Sequence, residues 1–340
     1  MSDHVATPQS EPSVVVGGID CGTNSIRLKI ARVDAHGVHD IVPRTLRVVR
    51  LGEGVDRTHR FAEEALERTY AAAREFARIL DGHPVQALRF VATSATRDAQ
   101  NRQEFEDTIE SILGVRPEVI SGVEEADLSF LAATSMTART DLEPPFLVVD
   151  LGGGSTELVL GGDGVKAPAT RVDAAFSMDI GSVRMTERHL TNDPPTQTQI
   201  DAAVDDIDAH IDEAFTHVPA GRARTIIGVS GTVTTMTALA MGLTEYDHRA
   251  VDGRAHGLRH GVRCGRSLSA HDPGGTQRIQ DDSPRPHRCG GRGRLGVEPR
   301  ARTHLTGRTG GSRAAHRFVC GERAWPAGRD CARFGEPIAS

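Results

Sequence analysis

A glycine-rich turn between two apolar segments is the feature that most constrains this chain. Residues 148–157 read Val-Val-Asp-Leu-Gly-Gly-Gly-Ser-Thr-Glu, so apolar residues lead into an aspartate, three glycines follow, and Ser-Thr-Glu opens a second segment. This order is typical of a β-strand, a tight turn and a second β-strand. Such a turn can direct several backbone N–H groups at a phosphate and hold a carboxylate beside a metal ion. The segment therefore predicts a phosphate-binding turn.

A second, looser copy of this turn lies near the start of the chain. Residues 18–26 read Gly-Ile-Asp-Cys-Gly-Thr-Asn-Ser-Ile, and the two copies are about 130 residues apart. A chain of 340 residues is long enough for two domains with cores of their own. The repetition predicts a duplicated, two-domain protein that handles phosphate.

Hydrophobic periodicity around the two turns predicts an α/β architecture. Apolar residues recur on one face over 61–80 and 199–215, which indicates helices. Asp98 is expected to cap a helix that stops at Gly114, and a strand is expected at 176–180. The order of strands, glycine turn and βα units occurs twice, so we expect two domains facing a cleft, with ligands at strand ends and helix N-termini.

Charge and hydropathy argue against nucleic-acid and membrane partners. The net charge of −6 argues against general nucleic-acid binding. Because the sequence has neither an 18-residue apolar run nor a charged-then-apolar leader, we expect a cytoplasmic protein without a membrane partner. Residues 1–13 are polar and predict a disordered tail.

The composition changes sharply near Leu258. Residues 1–258 carry 24 basic and 39 acidic residues, whereas residues 259–340 carry 16 arginines, no lysine and 7 acidic residues. The latter stretch has only 8 Ile, Leu, Val or Met among its 82 residues, but 14 Gly and 6 Pro. So little apolar surface cannot offset the entropy of ordering the chain, and the stretch predicts a disordered segment.

Two interpretations of residues 259–340 follow from this composition. One is an arginine-rich tail that binds nucleic acid. The other is out-of-frame translation of a GC-rich gene, which yields Arg-, Gly-, Pro-, His- and Cys-rich text. One permitted codon set for residues 271–277, shifted by one base, reads Met-Thr-Pro-Ala-Glu-Arg, and the same shift turns 281–289 and 322–333 into ordinary protein text. We favour the frameshift, and resequencing the codons for residues 256–260 would test it.

Five motifs in order resemble one known family. The segments 20–25 (Asp-Cys-Gly-Thr-Asn-Ser), 92–97 (Ala-Thr-Ser-Ala-Thr-Arg), 120–126 (Ile-Ser-Gly-Val-Glu-Glu-Ala), 150–157 and 228–232 (Gly-Val-Ser-Gly-Thr) are similar to loops of the exopolyphosphatase / guanosine pentaphosphate phosphohydrolase family. The resemblance covers residues 14–258 and is to the short form of the family. It implies two actin-like (ribonuclease H-like) domains of the actin–Hsp70–sugar kinase superfold, at 14–143 and 144–258, the second incomplete. The shifted C-terminal readings also resemble this family.

The resemblance assigns roles to four carboxylates. Glu125 is expected to be the general base that activates water. Asp150, Glu157 and Asp20 are expected to hold Mg²⁺ or Mn²⁺, whose hard ions prefer carboxylate oxygens. The structural alternatives stay open: Glu125 complements the dipole of a helix start, and the others stabilise strand ends or turns.

The resemblance also assigns phosphate binding to residues in four segments. Arg97 is expected to grip the phosphate chain, because a guanidinium fork matches paired phosphate oxygens; otherwise it is a surface arginine. The remaining positions would bind through backbone N–H groups and hydroxyls, or form only tight turns: Gly22, Thr23, Asn24, Ser25, Gly152, Gly153, Gly154, Ser155, Ser230, Gly231 and Thr232.

The implied activity is metal-dependent release of terminal phosphate from inorganic polyphosphate or from guanosine pentaphosphate (pppGpp). Two alternatives remain: a protein that binds polyphosphate or the alarmone without turnover because its C-terminus is damaged, and a small-molecule kinase of the same superfold. The family is commonly dimeric, so a homodimer is left open.

Overall fold

The computed structural model describes residues 12–135, 142–162, 171–253, 255–257 and 317–321. These residues form eleven strands and nine α-helices. The strands are β1 (Val14–Cys21), β2 (Ser25–Asp34), β3 (Gly37–Val48), β4 (Ala87–Ala92), β5 (Glu118–Val119), β6 (Phe146–Leu151), β7 (Thr156–Gly161), β8 (Val172–Met178), β9 (Thr225–Val229), β10 (Ala255–Gly257) and β11 (Arg317–Gly321). The helices are α1 (Val55–Thr58), α2 (Glu63–Gly82), α3 (Ser94–Asp98), α4 (Arg102–Leu113), α5 (Gly122–Ser135), α6 (Ser182–His189), α7 (Gln197–His217), α8 (Gly231–Ala240) and α9 (His248–Val251).

The strands form two mixed sheets, which confirms the predicted α/β class. The first sheet has the order β3-β2-β1-β4-β5, with β1 antiparallel to β2 and parallel to β4. The second has the order β10-β11-β9-β6-β7-β8, with β6 antiparallel to β7 and parallel to β9. In both sheets the strand before a glycine turn therefore pairs with the strand after the turn on one side and with a parallel strand on the other.

Helices α2 and α4 cover the first sheet. Their apolar faces join the strand residues in one core, whose centre is Phe105, fully buried on α4. The Phe105 ring meets Phe61 edge-on at a centroid distance of 5.5 Å and lies 6.4 Å from Phe90 and 6.5 Å from Tyr70. Helix α4 ends where predicted, because Gly114 takes a left-handed φ of 70° that favours glycine.

Helix α5 packs against the second sheet, although it precedes the boundary expected at 143–144. Ala126, Phe130 and Ala133 recur at helical spacing and join a core with Phe146 and other residues of β6, β7 and β9. Leu128 of the same helix packs with Val91 of β4, so α5 packs mainly on the second sheet and also touches the first. The domain limits themselves stay a prediction.

Three local expectations are corrected by the structure. Asp98 does not cap α4: it ends the short helix α3, and α4 follows Asn101 without a side-chain cap. The strand expected at 176–180 is β8, displaced towards the N-terminus because its pairing with β7 runs from Val172 to Met178. Helix α7 begins earlier than expected, since Thr196 and Gln199 form a capping box.

One short segment of the C-terminal stretch is described. Strand β11 lies within 259–340, the range for which composition predicts a disordered segment, and pairs in parallel with β9. The rest of that stretch, and residues 1–11, lie outside the described residues. Among the helices that the structure describes, none combines the length and apolar character needed to cross a bilayer.

The aromatic core predicts a large effect of truncation at position 105. Phe105→Ala should lower the free energy of unfolding by about 3–5 kcal/mol, because it leaves a cavity between three rings. Val14→Ala, at an exposed position, should change it by less than about 0.5 kcal/mol. Urea unfolding of both variants checks the comparison, and equal effects would contradict the assigned core.

Candidate active site

Two glycine turns with the same hydrogen bonding lie at the carboxyl ends of β1 and β6. In the first, the N–H of Gly22 donates to the carbonyl of Ser25 over 3.0 Å; in the second, Gly152 donates to Ser155 over 2.9 Å. Each turn joins two antiparallel strands. The predicted duplication is therefore present in the backbone of the two turns.

A second segment lies beside each turn, because each strand has a parallel neighbour. Thr93, after β4, donates its N–H to the carbonyl of Cys21 over 3.2 Å. Ser230, after β9, donates its hydroxyl to the carbonyl of Leu151. Ser230 also holds a φ of 90°, a strained conformation for a residue with a side chain. Four of the five predicted motifs thus meet at two sheet edges, where α/β proteins bind ligands.

The two glycine turns touch each other across the cleft between the sheets. A Cβ atom on Gly154 would lie 2.5 Å from Oγ1 of Thr23 and 2.6 Å from Oγ of Ser94. A Cβ on Gly153 would lie 3.2 Å from Cβ of Thr23. Glycine is therefore required at position 154 for close approach, and the two predicted phosphate loops form one surface.

Helix α6 supports the second turn from behind. The N–H of Ser182 donates to the carbonyl of Gly152 over 3.0 Å, and that of Val183 to Gly153 over 2.9 Å. This approach needs Gly181, because a Cβ there would lie 2.5 Å from the carbonyl of Gly153. The backbone of α6 therefore binds the carbonyl side of the turn.

Asp150 and Glu157 form a buried carboxylate pair. They lie directly opposite each other in the register of β6 and β7, so their side chains share one face of the sheet. Both are almost wholly buried. The Ser129 hydroxyl donates to Oδ2 of Asp150, and the Ser177 hydroxyl donates to Oε1 of Glu157 over 2.9 Å. Two hydroxyls thus orient two carboxylates on one face of the sheet.

Asp20 has a different environment from Asp150. Its register partner on β2 is Arg27, whose Nη1 donates to Oδ2 of Asp20 over 2.7 Å. Asp20 is buried and Arg27 nearly so, which makes this an ion pair within the first sheet. The position that carries Glu157 in the second turn carries an arginine in the first, and this arrangement is typical of a structural carboxylate.

Glu125 lies buried at the start of α5, beside Arg97. Nη1 of Arg97 donates to Oε2 of Glu125 over 2.9 Å and to the carbonyl of Ile120 over 3.0 Å. The adjacent Glu124 is partly exposed and pairs with Arg89 instead. Two neighbouring glutamates therefore have different surroundings, and only Glu125 faces the cleft residues.

One stripe of α5 connects the carboxylates. Gly122, Glu125 and Ser129 follow helical spacing, so they lie on one face. Gly122 abuts Ser177, since a Cβ on the glycine would lie 2.7 Å from that of the serine. Ser177 donates to Glu157, and Ser129 donates to Asp150. Glu125 therefore lies one helical turn before Ser129, the residue that binds Asp150.

The carboxylates fit a cation that substrate helps to bind. Across the described ranges no group of three or more His, Cys, Asp and Glu could hold a metal ion. Mg²⁺, however, is commonly bound by one or two carboxylates together with water and substrate phosphates. Asp150 and Glu157 suit that mode, whereas Asp20 is already paired with Arg27.

Sequence patterns did not reveal an ionic network that joins the two sheets. Arg184 and Arg188 of α6 both bind Asp56 of α1, at 2.7 and 2.9 Å, and Arg188 also binds Asp206. Burial opposes ionisation of Asp56, but the two arginines outweigh it and lower its pKa. No motif marks these residues; only the arginines at i and i+4 on α6 hint at a shared partner.

Glu187 belongs to the same contact, and its ionisation opposes folding. Its Oε2 accepts the N–H of Gly54 over 3.0 Å. Burial raises the pKa of the Glu187 carboxyl above its ordinary value of 4.5, and the charges of Glu53 and Asp56 add to the effect. The N–H of Gly54 and the charge of Arg50 act in the opposite direction without cancelling it.

This raised pKa predicts a pH-dependent stability. The folded protein holds the Glu187 proton to higher pH than the unfolded chain does, so this group's contribution is most favourable below pH 4.5 and falls as pH rises through the folded-state pKa. Glu187→Gln should therefore raise the free energy of unfolding at pH 7, and the gain should vanish at pH 4. Urea unfolding at both values measures it.

The exposed Glu64→Gln is the control for removing one negative charge from an acidic chain. Glu64→Gln should not give a free energy of unfolding that is raised at pH 7 and unchanged at pH 4. An equal gain in both variants, or none for Glu187→Gln at pH 7, would contradict the assigned environment of Glu187.

Comparisons with known proteins agree with this architecture. The profile of the Ppx/GppA phosphatase family matches residues 29–263. Exopolyphosphatase 2 of Mycobacterium tuberculosis is 46% identical over 248 residues, which cover 69% of this chain and 74% of that protein. A guanosine-5′-triphosphate,3′-diphosphate pyrophosphatase of Pseudoalteromonas atlantica is 32% identical over 240 residues, covering 70% of this chain and 46% of its own length.

A solved structure extends the similarity to the fold. The crystal structure of an exopolyphosphatase-like protein is 61% identical, has a TM-score of 0.80, and covers 91% of this chain and 94% of its own. The family match, the identity to curated relatives and the shared fold lead to one conclusion. This chain belongs to the Ppx/GppA phosphatase family, and its two halves have the actin-like fold.

Proposed function

We propose that this phosphohydrolase releases terminal orthophosphate from a linear polyphosphate chain, with Glu125 as the base and Asp150 and Glu157 as the metal carboxylates. The observation that carries the proposal is the α5 stripe, in which buried Glu125 lies one turn before Ser129, the residue that binds buried Asp150. The glycine turns at 22–25 and 152–155 adjoin this place. A general base, a cation site and a phosphate-binding surface together are the parts that phosphoanhydride hydrolysis needs.

Glu125 is placed to accept a proton from water. Its carboxylate is buried and held by Arg97, so its position is defined before substrate binds. Water attacks the terminal phosphorus in line with the departing phosphate oxygen, and Glu125 takes up the proton released. The products are orthophosphate and a chain shorter by one phosphate.

Arg97 serves both the base and the substrate in this proposal. Its described contacts, to Glu125 and Ile120, use only Nη1. Nε and Nη2 can therefore meet paired phosphate oxygens, which the planar guanidinium fork suits. Arg97 then balances the charge of Glu125 and that of the terminal phosphate.

The turns bind the rest of the phosphate charge. We assign this role to Gly22, Thr23, Asn24, Ser25, Gly152, Gly153, Gly154 and Ser155, and to Ser230, Gly231 and Thr232 beside them. Mg²⁺ or Mn²⁺, when bound at Asp150 and Glu157, supplies further neutralisation of the phosphate oxygens. The assignment of Asp20 to the metal rests on the family resemblance alone, since Arg27 already binds it.

Polyphosphate is the favoured substrate and pppGpp the second candidate. The Mycobacterium tuberculosis relative named exopolyphosphatase shares 46% identity, against 32% for the relative named for the guanosine compound. Both substrates end in a phosphoanhydride, so the same site accommodates either. A kinase of the same superfold is not favoured, because both relatives are hydrolases by name.

The C-terminal frameshift, the cytoplasmic location and dimerisation stay predictions. One observation supports the first: the family match ends at residue 263, close to the change in composition after Leu258. If the second domain is incomplete, we expect the chain to bind polyphosphate or pppGpp with little or no turnover.

The paired glutamates give a matched test of the base. Glu125→Gln should lower kcat by about 10²–10⁴-fold, since the amide cannot take up the proton. Glu124→Gln, next to it but bound to Arg89, should change kcat by less than about fivefold. Phosphate release from polyphosphate and from pppGpp measures both. No release from either substrate by the folded wild-type chain would overturn the proposed function.

The two aspartates give a matched test of the cation site. Asp150→Asn should weaken Mn²⁺ binding, measured by electron paramagnetic resonance, by about 10–100-fold because it removes one of two carboxylates. Asp20→Asn should leave the Mn²⁺ affinity nearly unchanged and instead lower the free energy of unfolding, since it deprives buried Arg27 of its partner. Unchanged Mn²⁺ affinity in Asp150→Asn would contradict the assignment.

A further inference from the structure

The Arg184 side chain binds the second glycine turn and two segments of the first half at once. It lies on α6 with 11% of its side chain exposed. Nε donates to the carbonyl of Gly154 over 2.7 Å, and Nη1 donates to Asp56 over 2.7 Å. Nη2 donates to Ser94 over 3.2 Å and to Asp98 over 2.5 Å. All three nitrogens of the guanidinium are thus used.

The contact with Gly154 decides which way one peptide group faces. Helix α6 binds the carbonyls of Gly152 and Gly153 through backbone N–H groups, which any sequence would supply. The carbonyl of Gly154 is held by the Arg184 side chain. In a planar trans peptide the carbonyl and the following N–H point in opposite directions, so Arg184 turns the N–H of Ser155 away from α6.

Gly154 also lies against the first half. Gly154 approaches Thr23 and Ser94 so closely that a Cβ there would overlap both hydroxyls. Because α6 binds the carbonyls of Gly152, Gly153 and Gly154, these oxygens are engaged, and a ligand at the turn would meet N–H groups instead. A flip of the peptide between Gly154 and Ser155 would instead place a negative dipole there, against a phosphate.

The same guanidinium holds the segment that carries Arg97. Ser94 and Asp98 are the first and last residues of α3, and Arg184 binds both. Burial opposes the charge of Arg184, but the hydrogen bond and charge of Asp98, with the charges of Asp179 and Asp56, outweigh it and raise its pKa. Arg184 therefore stays protonated and keeps its donors.

We propose that Arg184 is a positioning residue that holds the Gly154–Ser155 peptide with its N–H towards bound phosphate and fixes α3, and hence Arg97, beside it. The proposal rests on the proposed function for the nature of the ligand. It adds a residue that does not touch the reacting atoms but sets the direction of two groups that do.

Arg188 provides a matched control on the same helix. It lies one turn further along α6, carries the same charge and also bridges to Asp56. It contacts Asp206 but neither Gly154, Ser94 nor Asp98 in the described structure. A simple ionic latch between the halves would make the two arginines equivalent, whereas positioning of the turn is specific to Arg184.

The experiment compares Arg184→Ala, Arg184→Lys and Arg188→Ala in the full chain. Hydrogen exchange of amides in 93–98 and 152–155 should be faster by about tenfold or more in Arg184→Ala and unchanged in Arg188→Ala. In a Glu125→Gln background, which suppresses turnover, calorimetric binding of inorganic tripolyphosphate should be weakened more than about tenfold by Arg184→Ala alone.

Kinetics on polyphosphate separate positioning from stability. Arg184→Ala should lower kcat/KM by about 10²-fold, and Arg188→Ala by less than about fivefold. Arg184→Lys should have a kcat/KM close to that of Arg184→Ala, because one ammonium cannot reach Gly154, Ser94 and Asp98 together. Millimolar guanidinium should restore part of the kcat of Arg184→Ala without changing that of Arg188→Ala.

Three results would overturn the proposal: unchanged exchange at 152–155 in Arg184→Ala, equal effects of Arg184→Ala and Arg188→Ala, or full activity of Arg184→Lys. Failure of the proposed function is a different result. In that case the wild-type chain releases no phosphate, while the exchange comparison still tests whether Arg184 holds the turn.

Discussion

The close approach of Gly154 to Thr23 and Ser94 is the constraint on which the site depends. It leaves no room for a side chain at position 154, so the surface proposed for phosphate combines the backbone of this glycine with the hydroxyls of Thr23 and Ser94. Backbone N–H groups act as donors only if their peptides face the right way. The turn at 152–155 is therefore bound from behind by α6, and α6 is in turn joined to α1 and α3 by Arg184 and Arg188.

The two turns share the same backbone hydrogen bonding but differ in charge, and this difference is the reason that the proposed cation site lies beside the second turn. In the first sheet the residue opposite the aspartate is Arg27, and the pair is neutral within the protein. In the second sheet the corresponding pair is Asp150 and Glu157, two buried carboxylates on adjacent strands. Burying like charges side by side is unfavourable unless a cation accompanies them. The two turns thus share their backbone hydrogen bonding and differ in the charge of the residue opposite the aspartate.

Local order along the chain was predictable, and contacts between distant segments were not. The glycine turns, the helix end at Gly114 and the α/β class follow from short-range patterns. Asp98 looks like a helix cap in the sequence, but Arg184, 86 residues away, binds it instead. The sheet on which α5 packs is decided by Phe130 and its neighbours in a core with β6, β7 and β9. Neither contact leaves a periodic or motif signal.

The position of α5 determines which residues of the proposed site belong to the second sheet and which belong to the first. Glu125, Asp150 and Glu157 belong to one packed unit, because α5 lies on the second sheet and its serine and glycine positions abut the carboxylate pair. Glu125 and the Asp150–Glu157 pair are therefore linked by contacts within the second half, while Leu128 of α5 also packs with Val91 of the first sheet. Arg97 and the turn at 22–25 belong to the first half. The phosphate contacts proposed for them therefore depend on how the two sheets are placed relative to each other. Contacts of α6 with α1 and α3 hold the two sheets together, so that the carboxylates of the second half lie near Arg97 and the turn at 22–25 of the first.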